Sequence, residues 1–144
     1  MGFQKMLIAV DDDPIAARAA EVGMDLARSL HAQVALIHAI DPSLTFAPDI
    51  GIGADEFALR AQQDGTRLMA DLRARLPAGT QARQFISQGS PGSEIVKAAR
   101  EWEADLIVIG SHGRHGITRA LVGSVAEAVM REAPCPVLVV RAKE

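Results

Sequence analysis

A chain of 144 residues with 49% hydrophobic and only 3% aromatic residues is sized for one domain around an aliphatic core. Its net charge of -3, with no basic stripe, argues against nucleic acid or an anionic membrane surface as partner. One cysteine, Cys135, rules out an internal disulfide, no apolar stretch approaches the ~18 residues of a membrane span, and no signal-like apolar run precedes Asp11, so a soluble cytoplasmic chain is expected.

Residues 5–10, Lys-Met-Leu-Ile-Ala-Val, form an unbroken apolar run of the kind that makes a strand buried on both faces. Asp11-Asp12-Asp13-Pro14 follows. Asp13 and Pro14 suit the N-cap and first position of a helix over residues 14–30. Ile15, Ala19, Val22, Leu26 and Leu30 are its expected inner face. A second strand is expected over residues 33–39, with His38 near its end as a satisfied core histidine. Residues 40–53 lack a period and hold Asp41-Pro42, Pro48, Gly51 and Gly53, which reads as a long functional loop. The next helix is expected over residues 54–76, with Leu68, Leu72 and Leu76 as its stripe. Residues 81–88 are polar enough to mark a strand near a sheet edge.

Ser90-Pro91 restarts a helix that runs to about Glu103, with Ile95, Ala99 and Trp102 inward. Leu106-Ile-Val-Ile109 is another doubly buried strand, ended abruptly by Gly110. Ser111, His112, Gly113, Arg114, His115 and Gly116 follow. Glycine lets backbone approach a ligand with no Cβ in the way, and a glycine-rich turn after a buried strand is where open α/β sheets take ligands. Ser124-Val-Ala-Glu127 reads as a capping box, with Ser124 as N-cap of a helix over residues 125–131. A helix start offers free N–H groups and the positive end of the helix dipole, so the spacing Gly110-x2-Gly113-x9-Gly123-Ser124 predicts phosphate binding. Arg114 and Arg119 are candidates for added positive charge. Cys135, between Pro134 and Pro136, reads as a buried, inert thiol ahead of a last strand over residues 136–141.

Strands alternating with helices mean a parallel α/β sheet. Polar loops follow strands 1 and 4, and ligands bind where strand order reverses, so these strands should be neighbours. The expected architecture is an open five-stranded parallel sheet of order 3-2-1-4-5, with helices on both faces. There is no P-loop, no dinucleotide fingerprint, no cluster with zinc spacing and no nucleophile elbow around Ser111. Asp11 closes strand 1 beside the expected crevice and could accept from ribose or an adenine amine, while Asp12 and Asp13 read as capping and solvated acids.

Met6-Leu-Ile-Ala-Val-Asp11, Val34-Ala-Leu-Ile-His-Ala39, the glycine spacing and Pro134-Cys-Pro-Val-Leu-Val-Val140 together resemble the universal stress protein family, over nearly the whole chain. The glycine spacing resembles the branch that binds ATP. The resemblance implies a Rossmann-like fold of the adenine nucleotide alpha hydrolase kind. It also implies a stress-response regulator that holds ATP with little or no turnover, so not an enzyme. In that reading Asp11 meets the adenosine, the backbone of Ala39 borders the adenine, Gly110, His112, Gly113, Gly123, Ser124 and Val125 line the phosphates, and Val10 and Ile109 are nucleotide-binding beside them. Relatives often carry a small or aromatic residue and a serine where this chain has Asp12 and Asp13. Acids there would weaken polyphosphate binding or demand Mg2+. The apolar last strand, at a sheet edge, is expected to pair with its copy in a homodimer, as the resemblance also implies.

Two other readings are less favoured. A receiver-type phosphorylation switch needs an aspartate at the end of strand 3, where the chain reads Phe85-Ile-Ser-Gln-Gly. An ATP-cleaving enzyme of the related pyrophosphatase kind needs a Ser-Gly-Gly-x-Asp-Ser loop after strand 1, where Asp-Asp-Asp-Pro stands; slow ATP hydrolysis remains the alternative to simple holding.

Overall fold

A computed structural model describes residues 2–10, 14–40, 54–75, 82–111 and 123–141. Along them strands and helices alternate: β1 (Lys5–Ala9), α1 (Pro14–Leu30), β2 (Gln33–Ile40), α2 (Ala54–Ala74), β3 (Ala82–Gln88), α3 (Pro91–Trp102), β4 (Leu106–Gly110), α4 (Ser124–Glu132) and β5 (Val137–Val140). The strands form one sheet, order β3-β2-β1-β4-β5, and every pairing is parallel. The expected order holds. The long loop after β2, Asp11 to Asp13 and Leu76 lie outside the described residues.

The pleat explains why β1 and β4 are apolar without a break. Met6, Ile8 and Val10 point to one face and Leu7 and Ala9 to the other, as period-2 geometry requires. The first face packs with Leu36 and Val108 under α1 and α2, where Ala19, Ala20, Met24, Met69 and Leu72 meet it. The second packs with Ile37 and Ile107 under α3 and α4, where Ile95, Ala99, Trp102 and Val129 meet it. Met6, Leu7, Ile8 and Ile107 are fully buried, and each such side chain contributes ~1.5–3 kcal/mol of burial free energy. β3 is only partly covered along its length, as its polar sequence and edge position lead one to expect.

The inner face of α1 matches the expected one only in part: Ala19 is central to it, Leu30 is not, and the side chain of Ile15 lies outside the described residues. Ala16, Ala19, Ala20, Met24 and Ala27 are buried, Val22 and Leu26 only flank the core, and Leu30 is 41% exposed. Small residues let this helix lie close against β1, and the larger aliphatics fill the margins. In α3 the expected inner residues Ile95, Ala99 and Trp102 are all buried. That helix starts at Pro91 behind Ser90 and is closed by Glu103 in the left-handed conformation.

The amino ends of β1 and β4 are tied by Asp105. Its carboxylate accepts from the N–H groups of Gln4 (2.9 Å) and Lys5 (3.0 Å), and Lys5 Nζ donates to the Trp102 carbonyl at 3.2 Å.

Candidate nucleotide site

β1 and β4 are neighbours whose connections leave in opposite directions, α1 to one face and α4 to the other. Such a reversal opens a crevice at the carboxyl ends of the two strands. Val10 is the last described residue of the first connection, and Gly110 and Ser111 begin the second.

Ser111 organises the β4 side. It is 4% exposed and is the buried polar residue among those described. Its N–H donates to the Val140 carbonyl of β5 at 2.8 Å, extending the β4–β5 register beyond Gly110↔Val140. Its carbonyl accepts from the N–H of Gly123. Ser111 and Gly123 therefore lie side by side, and α4 starts beside the end of β4.

The start of α4 corrects the expected cap. Gly123, not Ser124, is the N-cap, with extended backbone (φ -65, ψ 159) and no side-chain cap bond. Its carbonyl takes the first helical bond, from Glu127 N–H at 2.9 Å. The bond from Gly123 N–H to Ser111 fixes the turn at Gly123, so the helix begins one residue earlier than the sequence suggests. Glu127 does not reach back; its carboxylate pairs with Arg131 at 2.7 Å, one turn on. Ser124 is exposed and Val125 half-buried at the first two helical positions. Helical N–H groups in the first turn have no partner within the helix, so the donor array survives the shift.

On the β1 side, Val10 N–H donates to the Ile37 carbonyl at 2.8 Å, and the Val10 carbonyl contacts His38 Nδ1 at 3.1 Å. A carbonyl only accepts, so Nδ1 carries the proton. His38 is thus the satisfied histidine expected from its place in β2. Ala39 lies half-buried one residue on, beside Ser87 of β3.

The structure brings Val10, Ile109, Gly110, Gly123, Ser124 and Val125 to the same end of the sheet, with Ala39 one strand away. Val10 and Ile109 send their side chains into the two cores, so toward a ligand they offer backbone. The Gly123 N–H is already donated, so its contribution is the missing Cβ. Asp11, His112 and Gly113 lie outside the described residues, as do Arg114, His115, Gly116 and Arg119. The sequence did not single out Ser111 as an anchor; a serine directly after a buried strand and before a long return was the available signal.

Cys135 is half-buried rather than buried. Desolvation by burial raises its thiol pKa above the ordinary value, and the Asp105 charge adds to this. It stands ahead of β5, at the opposite end of the sheet from the crevice. Among the described residues no group of three metal-binding side chains comes together, and no helix is long and apolar enough to cross a membrane.

An open parallel sheet whose order reverses between β1 and β4, with a helix start beside that reversal, defines a doubly wound α/β domain. Residues 2–141 match the model of the universal stress protein family. The chain belongs to that family.

Among curated relatives it is similar to universal stress protein YxiE of Bacillus subtilis, 31% identical over 96% of this chain and 99% of that protein. Among solved structures, hypothetical protein MJ0577 superposes with a TM-score of 0.87 at 28% identity, covering 100% of this chain and 99% of that one. UspA from Lactobacillus plantarum superposes with a TM-score of 0.77 at 28% identity, covering 98% and 99%. Two more distant family structures were solved as complexes, one with cAMP (22% identical, TM-score 0.69, covering 99% of this chain and 100% of that one) and one from Archaeoglobus fulgidus with dAMP (24%, 0.65, covering 98% and 100%). Their likeness to this chain is one of fold.

Proposed function

We propose that this chain is a single-domain regulatory protein that binds an adenine nucleotide, ATP foremost, in the crevice between β1 and β4. The observation that carries the proposal is the Ser111–Gly123 bond, which sets the start of α4 at the end of β4. Free N–H groups at a helix start, with the positive end of the helix dipole, favour a phosphate. Gly110, Gly113 and Gly123 would let it approach the backbone, with His112, Ser124 and Val125 donating. Asp11 would meet the ribose and the Ala39 backbone the base, with Val10 and Ile109 beneath. The two complexes with adenine nucleotides are consistent with a ligand of this class on this fold.

The chain holds ATP rather than turning it over at an enzyme's pace. No general base or nucleophile stands out beside the described part of the site. Mg2+ would enter on the phosphates, with Asp11, Asp12 and Asp13 the nearest acids along the chain. The working form is a homodimer joined through β5, in the cytoplasm, with neither nucleic acid nor membrane as partner. The test is to denature purified protein and identify any released nucleotide by mass, then titrate stripped protein with ATP. Retained or rebound ATP supports the reading; protein that neither carries nor binds an adenine nucleotide overturns it.

A further inference from the structure

The imidazole of His38 stands where the β1–β2 ladder would gain its next rung. In a parallel pair, alternate residues of a strand turn both backbone groups toward a given neighbour. The bond from Val10 N–H to the Ile37 carbonyl (2.8 Å) shows that position 37 turns toward β1, and the bond from Gly89 N–H to the Ile40 carbonyl (2.9 Å) shows that position 40 turns the other way. The Ala39 backbone therefore turns toward β1, and a continued ladder would bring its N–H onto the Val10 carbonyl. His38 Nδ1 takes that carbonyl instead, at 3.1 Å. Among the described residues no backbone acceptor on β1 is found for the Ala39 N–H.

The ring is held from α2. A Cβ on Gly65 would lie 2.8 Å from His38 Cδ2, 3.5 Å from Nε2 and 3.7 Å from Ile86 Cγ2. A glycine inside a helix is less favourable than alanine. Here it leaves room for the imidazole between α2 and the sheet.

We propose that His38 is a positioning residue for the base. By drawing the Val10 carbonyl toward its ring on the α2 side of the sheet it holds that oxygen out of line with the Ala39 N–H, which stays unpaired at the mouth of the crevice as a donor to a ring nitrogen. Such a donor suits adenine, whose N1 accepts, and disfavours guanine, whose N1 carries a hydrogen. The role rests on the nucleotide reading for its ligand, but its backbone consequence needs no ligand.

The test compares wild type, His38→Phe and His38→Asn. Phenylalanine keeps a flat ring and removes the donor; asparagine restores a short side-chain N–H. Amide hydrogen exchange of the ligand-free proteins is read at Ala39 by NMR. The Phe variant should slow Ala39 exchange at least tenfold, because the N–H then pairs with Val10, while the Asn variant exchanges as wild type does. Titration should show ATP affinity falling about five- to tenfold in the Phe variant, with a smaller preference over GTP, and restored in the Asn variant. Should the Phe variant not fold, Gly65→Ala, which presses on the ring from α2, is expected to reproduce its effects. Equal Ala39 exchange in wild type and variant overturns the backbone claim, and unchanged ATP affinity overturns the positioning role while leaving the nucleotide site standing. Wild type that binds no ATP overturns the parent reading and the positioning role with it.

Discussion

The Ser111 carbonyl accepts from the Gly123 N–H, so the two residues that bracket the glycine segment meet at its base. One bond thus joins the end of β4, the strand beside central β1, to the start of α4. Everything proposed for the phosphate side depends on this closure, because it brings a helix start to the crevice.

Gly123→Val tests the space at that point. The backbone there (φ -65, ψ 159) is open to any residue, so the variant should fold, losing ~1 kcal/mol for a poor N-cap. ATP affinity should fall at least tenfold, because a branched side chain fills the phosphate space. Thermal melting and calorimetry on the same sample separate the two effects.

Val139→Lys tests the edge. β5 is short and apolar and, among the described residues, pairs with β4 at the end of the sheet. An exposed strand edge is a template for another chain, and a lysine blunts it. Sedimentation should give a dimer for the parent and a monomer for the variant at micromolar concentration. A monomeric parent, or a variant as dimeric as its parent, would move the interface elsewhere.

The sheet order was legible because the two chemically rich turns follow strands 1 and 4; placing those strands side by side at a reversal, with each remaining strand next to its neighbour in sequence, gives 3-2-1-4-5. The strands were legible because both faces are covered, so Leu7, Ile8, Ile107 and Val108 had to be apolar in succession. The face of α1 was legible only in part. Helical spacing fits Val22, Leu26 and Leu30 as well as the alanines, and only the closeness of α1 to β1 decides for the alanines. The α4 cap was misplaced by one residue for a similar reason: a long-range bond from Gly123 to Ser111 outranks the local capping pattern. Asp11, His112 and Gly113 were named from sequence and resemblance and stay proposals. The role of Gly65 was invisible until the His38 ring was seen opposite it.

Cys135 should react slowly. Its raised pKa keeps the thiol protonated near neutrality, and the thiolate is the nucleophile. Alkylation by iodoacetamide at pH 8 should be slower in the folded protein than in the same chain in denaturant. The sign of the linked pH effect follows: the neutral thiol favours the folded state below the ordinary thiol pKa, and that contribution is lost as pH rises through the raised value. A folded-state rate equal to or above that of the denatured chain would contradict the assignment.

Leu36→Ala should destabilise by ~2–5 kcal/mol, the range for a fully buried leucine. Leu36 is fully buried between β1 and β3 on the face covered by α1 and α2. Urea unfolding would show it as a lower midpoint at unchanged slope. A change under ~1 kcal/mol would mean that this face is less tightly packed than the structure has it.

The most direct measurement of the central claim is a calorimetric titration of nucleotide-stripped wild type and Gly123→Val with ATP and Mg2+, with phosphate release followed on the wild type. The wild type should bind one ATP per chain saturably, the variant should bind it at least tenfold more weakly, and turnover should lie far below the ~10 per second of a typical enzyme. No binding by the wild type, equal binding by both, or turnover near that rate would contradict it.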